Sequence, residues 1–271
     1  MAGEPLLALG EAATTGRPAP PLRLAGPLGV LALGFLLIPY AGLAFTTNWR
    51  ALAPSAGDWD AVATSVGATL AALVVVIAGG TPLAWWLATR RPRLRVLLDA
   101  LLLLTLLTPP LAMGLMLAIA YGPYSPIGRM AAHLGLELSN TPAAFLLAQI
   151  YASAPYYVLA ARGAFESVPA EYQDIARTLG RGPWYSFWHV SLPLARLGLA
   201  TGLALAWVRA LGEFGVALII AYFPQGIPVR LWVDLQDSGL AAVYPLLWAF
   251  FLIGLPLPLL LGLWARGRHA G

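Results

Sequence analysis

Two ionisable side chains stand inside an otherwise apolar run: Arg209 and Glu213, in the sequence VRALGEFGVALIIAYFP. Four residues apart on a helix, a guanidinium and a carboxylate share a face and can pair, which lowers the cost of holding each charge in a low-dielectric medium. Charges at that depth face a protein interior or a water-filled path. Arg209 can then present positive potential to an anion, and Glu213 can hold the arginine, or a neighbouring helix, in one arrangement. A structural pair that only locks helix packing fits the same spacing. Other chemistry is sparse. There is no cysteine, so disulfides, thiol nucleophiles and thiolate metal sites are excluded. All sixteen basic residues are Arg, so a phosphate loop with its lysine is excluded and any nucleotide hydrolysis belongs to another chain. His133 lacks companions at ligand spacing, which favours a solvated or capping role over metal binding. An intramembrane enzyme would need a cluster of carboxylates, imidazoles or nucleophiles at membrane depth, and only Arg209 and Glu213 qualify.

The elements that must position this pair are membrane spans. Hydrophobic residues make up 59% and charged residues 10% of the 271, a balance far too apolar for a soluble globular domain. Residues 1–25, rich in Ala, Pro and Gly, read as a disordered cytoplasmic tail, 26–265 as the membrane domain, and 266–271 as a second, basic cytoplasmic tail. The run Leu28 to Phe45 is 18 residues long, close to the ~20 needed to span and beyond the ~7 to 15 of a signal-peptide core, the competing reading. It is taken as span one. Span two lies within Ala61 to Ala88, span three from Val96 to Tyr121, span four from Ala143 to Ala161, span five from Leu197 to Tyr222 and span six from Leu240 to Trp264. Trp49 and Trp59, in the loop after span one, suit an interfacial aromatic belt. Thr108-Pro109-Pro110 falls near the middle of span three and predicts a bend or an unwound turn, tolerated where a helix lines a cavity or is covered by neighbours. Gly198 and Gly202 form a small-xxx-small pair that invites close approach of another helix. A short helix is expected from Ile127 to Leu134.

Arginine counts orient the spans. With the amino terminus inside, Arg17, Arg23, Arg90, Arg91, Arg93, Arg95, Arg162, Arg177, Arg181, Arg196, Arg266 and Arg268 are cytoplasmic, and only Arg50, Arg129 and Arg230 lie outside. Twelve against three places both termini in the cytoplasm. The cluster from Arg90 to Arg95 is read as this topological signal and not as a nucleic-acid patch.

One long polar passage interrupts the apolar pattern, Phe165 to Leu197. Ser167 is a candidate helix cap before Pro169. Tyr172, Ile175, Ala176 and Leu179 recur at i, i+3, i+4 and i+7, with Glu171, Asp174, Arg177 and Thr178 opposite, so an amphipathic helix is expected to run to Leu179. Gly180 suits the left-handed residue after it. Arg181-Gly182-Pro183 turns the chain into a second short helix in which Trp184, Phe187 and Trp188 share one side and Pro193 marks the end. The expectation is a helix-turn-helix at a membrane surface, sized for a partner's groove.

This passage resembles the cytoplasmic loop of permease subunits of binding-protein-dependent ABC importers, which carry Glu-Ala-Ala, three residues, Gly, nine residues, an aliphatic, one residue and Leu-Pro. Asp174, Ile175, Ala176, Gly180, Val190, Leu192 and Pro193 fit that spacing, with Asp for Glu and Ile for the first Ala. The resemblance implies a type I ABC importer permease, MetI-like: an all-α integral membrane protein of six transmembrane helices with a cytoplasmic coupling helix-turn-helix, extending over Ala61 to Trp264. It implies that Glu171, Tyr172, Asp174, Ile175, Ala176, Leu179, Gly180, Trp184, Phe187, Val190, Leu192 and Pro193 couple to an ATPase. Arg-Ala-Leu-Gly-Glu-Phe-Gly at 209–215 is similar to molybdate, tungstate and sulfate permeases. Ala221-Tyr222, Pro224, Pro228 and Leu231-Trp232 are more similar to the molybdate/tungstate branch. Implied in turn are a homodimer in the inner or plasma membrane, a dimer of ATPases using ATP and Mg on the cytoplasmic side, and an external solute-binding protein, periplasmic or lipid-anchored. No cofactor is expected on this chain and no nucleic acid. The oxyanion would move by alternating access past Pro109, Pro110, Met113, Arg209, Glu213 and Phe214. Sulfate, phosphate, iron(III) or a sugar are the alternative cargoes, and an ATPase-independent transporter or channel the alternative class.

Overall fold

The computed structural model of the chain describes residues 25–50, 52–89 and 95–266. Residues 1–24 of the expected amino-terminal tail, the arginines from Arg90 to Arg93 and the last five residues lie outside them, while Ala25 already belongs to the first helix. Two units are distinguished, Met1–Trp49 and Arg50–Gly271. In the first, α1 (Ala25–Thr46) is apolar all round, with no charged residue along its length, as a membrane span must be.

The second unit is all helix: α2 (Ala56–Thr89), α3 (Arg95–Leu107), α4 (Pro110–Tyr121), α5 (Pro126–His133), α6 (Pro142–Glu166), α7 (Ala170–Thr178), α8 (Pro183–Ser186), α9 (Leu192–Leu211), α10 (Gly215–Ile220), α11 (Ile227–Ser238), α12 (Leu240–Gly254) and α13 (Pro256–Arg266). Five helices among the described residues are long and apolar enough to cross a bilayer, or six when the bent pair α3 and α4 counts as one span. Local signals set the starts. Ser55 and Asp58 cap α2 reciprocally, each amide donating to the other's side chain at 2.7 and 3.2 Å. Thr141 caps α6 and Ser125 caps α5, each followed by a proline in the first turn. α5 fills the position expected for a short helix, with His133 exposed in its last turn.

The core is α6 clasped between α2 and α9. Tyr157, Val158, Ala161 and Phe165 meet Leu73, Val76 and Leu87 on one side and Trp207 and Leu211 on the other. The expected small-residue pair does bring helices together: a Cβ on Gly202 would lie 3.0 Å from that of Ala160, and one on Gly198 would collide with Ala164. A second core, built on Met113, Leu117, Phe145, Val216 and Ile220, joins α4 and α10 to α6.

Three expectations are corrected. Ser167 does not open α7; its hydroxyl donates to Ala164 O at 2.8 Å and closes α6, and α7 starts after Pro169. Pro193 ends nothing. Residues Phe187 to Ser191 form a π turn in which the Leu192 amide donates five residues back to Phe187 O, and α9 runs on through Pro193. The wider turn absorbs the hydrogen bond that proline cannot make, so Pro183–Leu211 is one span of 29 residues that begins inside the polar passage. Span five therefore does not continue to Tyr222; it stops at Leu211, and α10 is a separate short helix. Between Tyr222 and Leu240, a stretch assigned to neither span, α11 forms, its first amide held by Ser65 Oγ at 2.7 Å.

Candidate functional site

Two broken helices create the interior site. Thr108 and Pro109 interrupt span three, and α3 and α4 diverge by 112°. Pro109 and Pro110 bring no amide hydrogen to this turn, so the break follows from the sequence. The second break, Gly212 to Phe214, separates α9 from α10. The two breaks face each other. A Cβ on Gly215 would come within 2.6 Å of Pro110 Cβ and 3.0 Å of the Leu111 amide nitrogen, so glycine is what lets α10 lie against α4.

Around this crossing lies a cavity of about 480 Å³. All six residues expected along the path line it: Pro109, Pro110, Met113, Arg209, Glu213 and Phe214. Arg209 and Glu213 form the ion pair that their spacing predicts. Glu213 is fully buried, yet it is not on a continuous helix as expected. It sits in the break, where its second oxygen accepts the Val216 amide at 2.7 Å and caps α10. Arg209 is partly open to the cavity, with its guanidinium carbon 5.9 Å from the centre of the Tyr156 ring. Phe214 packs on Trp232, centroids 5.9 Å apart.

The cavity wall also contains Thr105, Thr108, Tyr151 and Tyr156, which the sequence reading does not single out. The threonine hydroxyls donate to Leu101 O and Leu104 O at 2.9 and 2.7 Å, so they offer lone pairs and no proton to the cavity. Tyr151 OH and Tyr121 OH are 2.6 Å apart, tying α6 to α4. Arg209 is thus the cavity's cation.

The second site is the surface of α7 and α8. Arg181 N donates to Ala176 O and Gly180 N to Arg177 O, both at 2.9 Å, with Gly180 at φ 72°. This is the Schellman closure that the Gly180 position predicts. The apolar face of α7 stays uncovered within the chain: Tyr172 is 51%, Ile175 55% and Leu179 73% exposed, and only Ala176 is buried. Asp174 and Arg177 pair at 3.0 Å on the exposed side, beside an exposed Glu171. Phe187 lies on one side with Trp184 and Trp188, as the spacing predicts, and is the inner member of the three. It is buried against Trp85 and Phe165, 5.1 and 6.1 Å between ring centres, while Trp184 stacks on its outer face at 5.7 Å and stays exposed. Val190 and Leu192 are half-buried and Pro193 exposed. An ion-pair network of Arg162 with Asp99 and with Glu166, the latter at 2.9 Å, braces the end of α6 just above this surface.

Residues 80–267 match the sequence family described as binding-protein-dependent transport system inner membrane component. The chain is 35% identical to a probable molybdenum ABC transporter permease protein of Haloferax volcanii, over 89% of this chain and 88% of that one. It is 34% identical to the molybdenum transport system permease protein ModB of Mycobacterium tuberculosis, covering 79% and 84% of the two chains. The molybdate/tungstate permease WtpB of Thermococcus kodakarensis is 26% identical over 91% and 96%. In fold, the chain superposes on a bacterial alginate ABC transporter with a TM-score of 0.66 at 15% identity, covering 88% and 90%. An inward-facing MetNI methionine ABC transporter gives 0.56 at 15%, covering 78% and 92%. Among the described residues no group of three or more His, Cys, Asp or Glu is placed to hold a metal. The chain belongs to the inner-membrane component family of binding-protein-dependent transport systems: it is an ABC-importer permease subunit, a transport component and not a catalyst, on the sequence branch of the molybdenum and molybdate/tungstate permeases.

Proposed function

We propose that two copies of this chain form the membrane path of an importer for molybdate or tungstate, driven by a dimer of ATP-hydrolysing subunits docked on the α7 face and loaded by an external solute-binding protein. Both termini lie in the cytoplasm, on the ATPase side, and ATP and Mg are used by the partner alone. The observation that carries the reading is the cavity at the crossing of the two breaks, with Arg209 as its cation. An oxyanion entering it competes with Glu213 for the guanidinium, whose charge-assisted donors suit a tetrahedral anion. Met113 and Phe214 close the apolar part of the path. The uncovered Tyr172, Ile175 and Leu179 supply the apolar anchors of the docking contact, and Glu171, Asp174 and Trp184 its rim. Movement passes through Gly180, Phe187, Val190, Leu192 and Pro193 into α9, which carries Arg209 at its other end. Alternation between inward-open and outward-open packings needs such a rigid connection. Purification of the complex with its binding protein, followed by titration of that partner with molybdate, tungstate and sulfate, tests the cargo. Tight binding of the first two supports the reading, and a neutral sugar bound instead overturns it.

A further inference from the structure

A second cavity, of about 790 Å³, is not used by the path. It is a groove on the far side of α9 from Arg209, walled by Ile77 and Thr81 of α2, Leu199 and Leu203 of α9, and Leu260 and Leu261 of α13. Its one polar recess is closed, because Thr81 Oγ1 and Tyr157 OH satisfy each other at 2.7 Å. At the end nearest the α7–α8 surface stand Trp184, Trp188 and Trp264, and beside them Arg196, its guanidinium carbon 5.8 Å from the Trp264 ring centre. Arg196 is exposed and has no carboxylate partner among the described residues.

We infer that this groove holds one anionic phospholipid, its phosphate on Arg196 and one acyl chain along α9. The shape fits an amphiphile. From Leu192 to Leu203 the wall runs about 16 Å at ~1.5 Å per residue, close to half of the ~30 Å hydrocarbon core. A charge at one end of an apolar trough of one leaflet's depth, ringed by tryptophans, matches a headgroup, an interface and a tail in that order. A soluble peptide would leave the trough's deep end unreachable, and a free phosphate would leave it empty. Because Trp184, Phe187 and Trp188 form one wall, the lipid also braces the segment that joins the docking face to α9.

The test is native mass spectrometry of the purified permease–ATPase complex, offered phosphatidylglycerol or phosphatidylcholine of identical chains. The wild type is expected to retain phosphatidylglycerol several-fold over phosphatidylcholine. Arg196→Ala should abolish that preference and Arg196→Lys should keep most of it. Leu203→Trp, which fills the deep end, should lose both lipids while the complex elutes as an intact assembly. Equal retention of the two lipids by the wild type, or a preference that survives Arg196→Ala, overturns the inference. So does a short cross-link from Leu261→Cys to a second copy of the chain, which would show that protein fills the groove. The placement in the cytoplasmic leaflet rests on the orientation proposed above, but lipid retention is read without reference to cargo or sidedness, so the two can fail separately.

Discussion

The Arg209 guanidinium donates to one oxygen of Glu213 while the other oxygen accepts the Val216 amide at 2.7 Å, so a single carboxylate ties the end of α9 to the start of α10. Removing one partner strands the other. Glu213→Ala leaves the guanidinium unpaired and α10 uncapped, and is expected to cost about 3 to 5 kcal/mol. Glu213→Gln keeps an acceptor for Val216 and should cost less. The decisive variant is the double exchange Arg209→Met with Glu213→Gln, which removes both charges together and still leaves an acceptor for the buried Val216 amide, so that neither a lone charge nor an orphaned amide remains. Thermal unfolding of the purified complex near the wild-type midpoint, together with loss of uptake, is the expected result. Normal uptake in that variant would assign the pair to packing alone.

Much of this interior site was legible before folding, because its causes are local. Pro109 and Pro110 announce a break wherever they fall in a span, and an arginine and a glutamate four residues apart announce a pair. What remained hidden is non-local. Nothing near Gly215 in sequence indicates Pro110, 105 positions away, as the reason it must be glycine, and only their approach shows it. Tyr151 and Tyr156 sit in an ordinary aromatic span, and their place in the cavity depends on how α6 turns against the breaks. Gly212, five residues before Ala217 in an otherwise helical run, was the available signal that span five stops early.

At the crossing itself, Gly215→Ala puts a methyl group 2.6 Å from Pro110 Cβ. Overpacking of this kind costs about 1 to 3 kcal/mol. Since the strain falls on two half-helices that meet at the cavity, the expected phenotype is a shifted gate: ATP hydrolysis that no longer responds to the loaded binding protein, in a complex that still assembles. ATPase assays with and without that protein check it, and a wild-type response would contradict it.

Gly180 lies at φ 72° with open space around the position of a Cβ, so a substitution there meets backbone strain and no clash. Gly180→Val should cost ~1 to 2 kcal/mol, tilt α7 relative to α8, and uncouple ATP hydrolysis from uptake. Gly180→Asn, which tolerates left-handed geometry better, should stay coupled. Coupled uptake in the valine variant would remove Gly180 from the pathway of movement.

Leu179 and Tyr172 are exposed within the chain, and their truncation should leave the permease as stable as the wild type. Leu179→Ala and Tyr172→Ala are each expected to weaken ATPase docking by about 2 kcal/mol if the side chain is an anchor of that contact. Co-purification of the ATPase at limiting concentration reads the effect. Unchanged recovery with both variants would place the docking contact elsewhere.

The chain has no cysteine, so single replacements report their own position without background. The most direct measurement is labelling of Tyr172→Cys and Trp184→Cys with a membrane-impermeant thiol reagent, on intact cells and on inverted vesicles. Labelling from the cytoplasmic side only, blocked when the ATPase is bound, is what the account predicts. Labelling of either position on intact cells would contradict it.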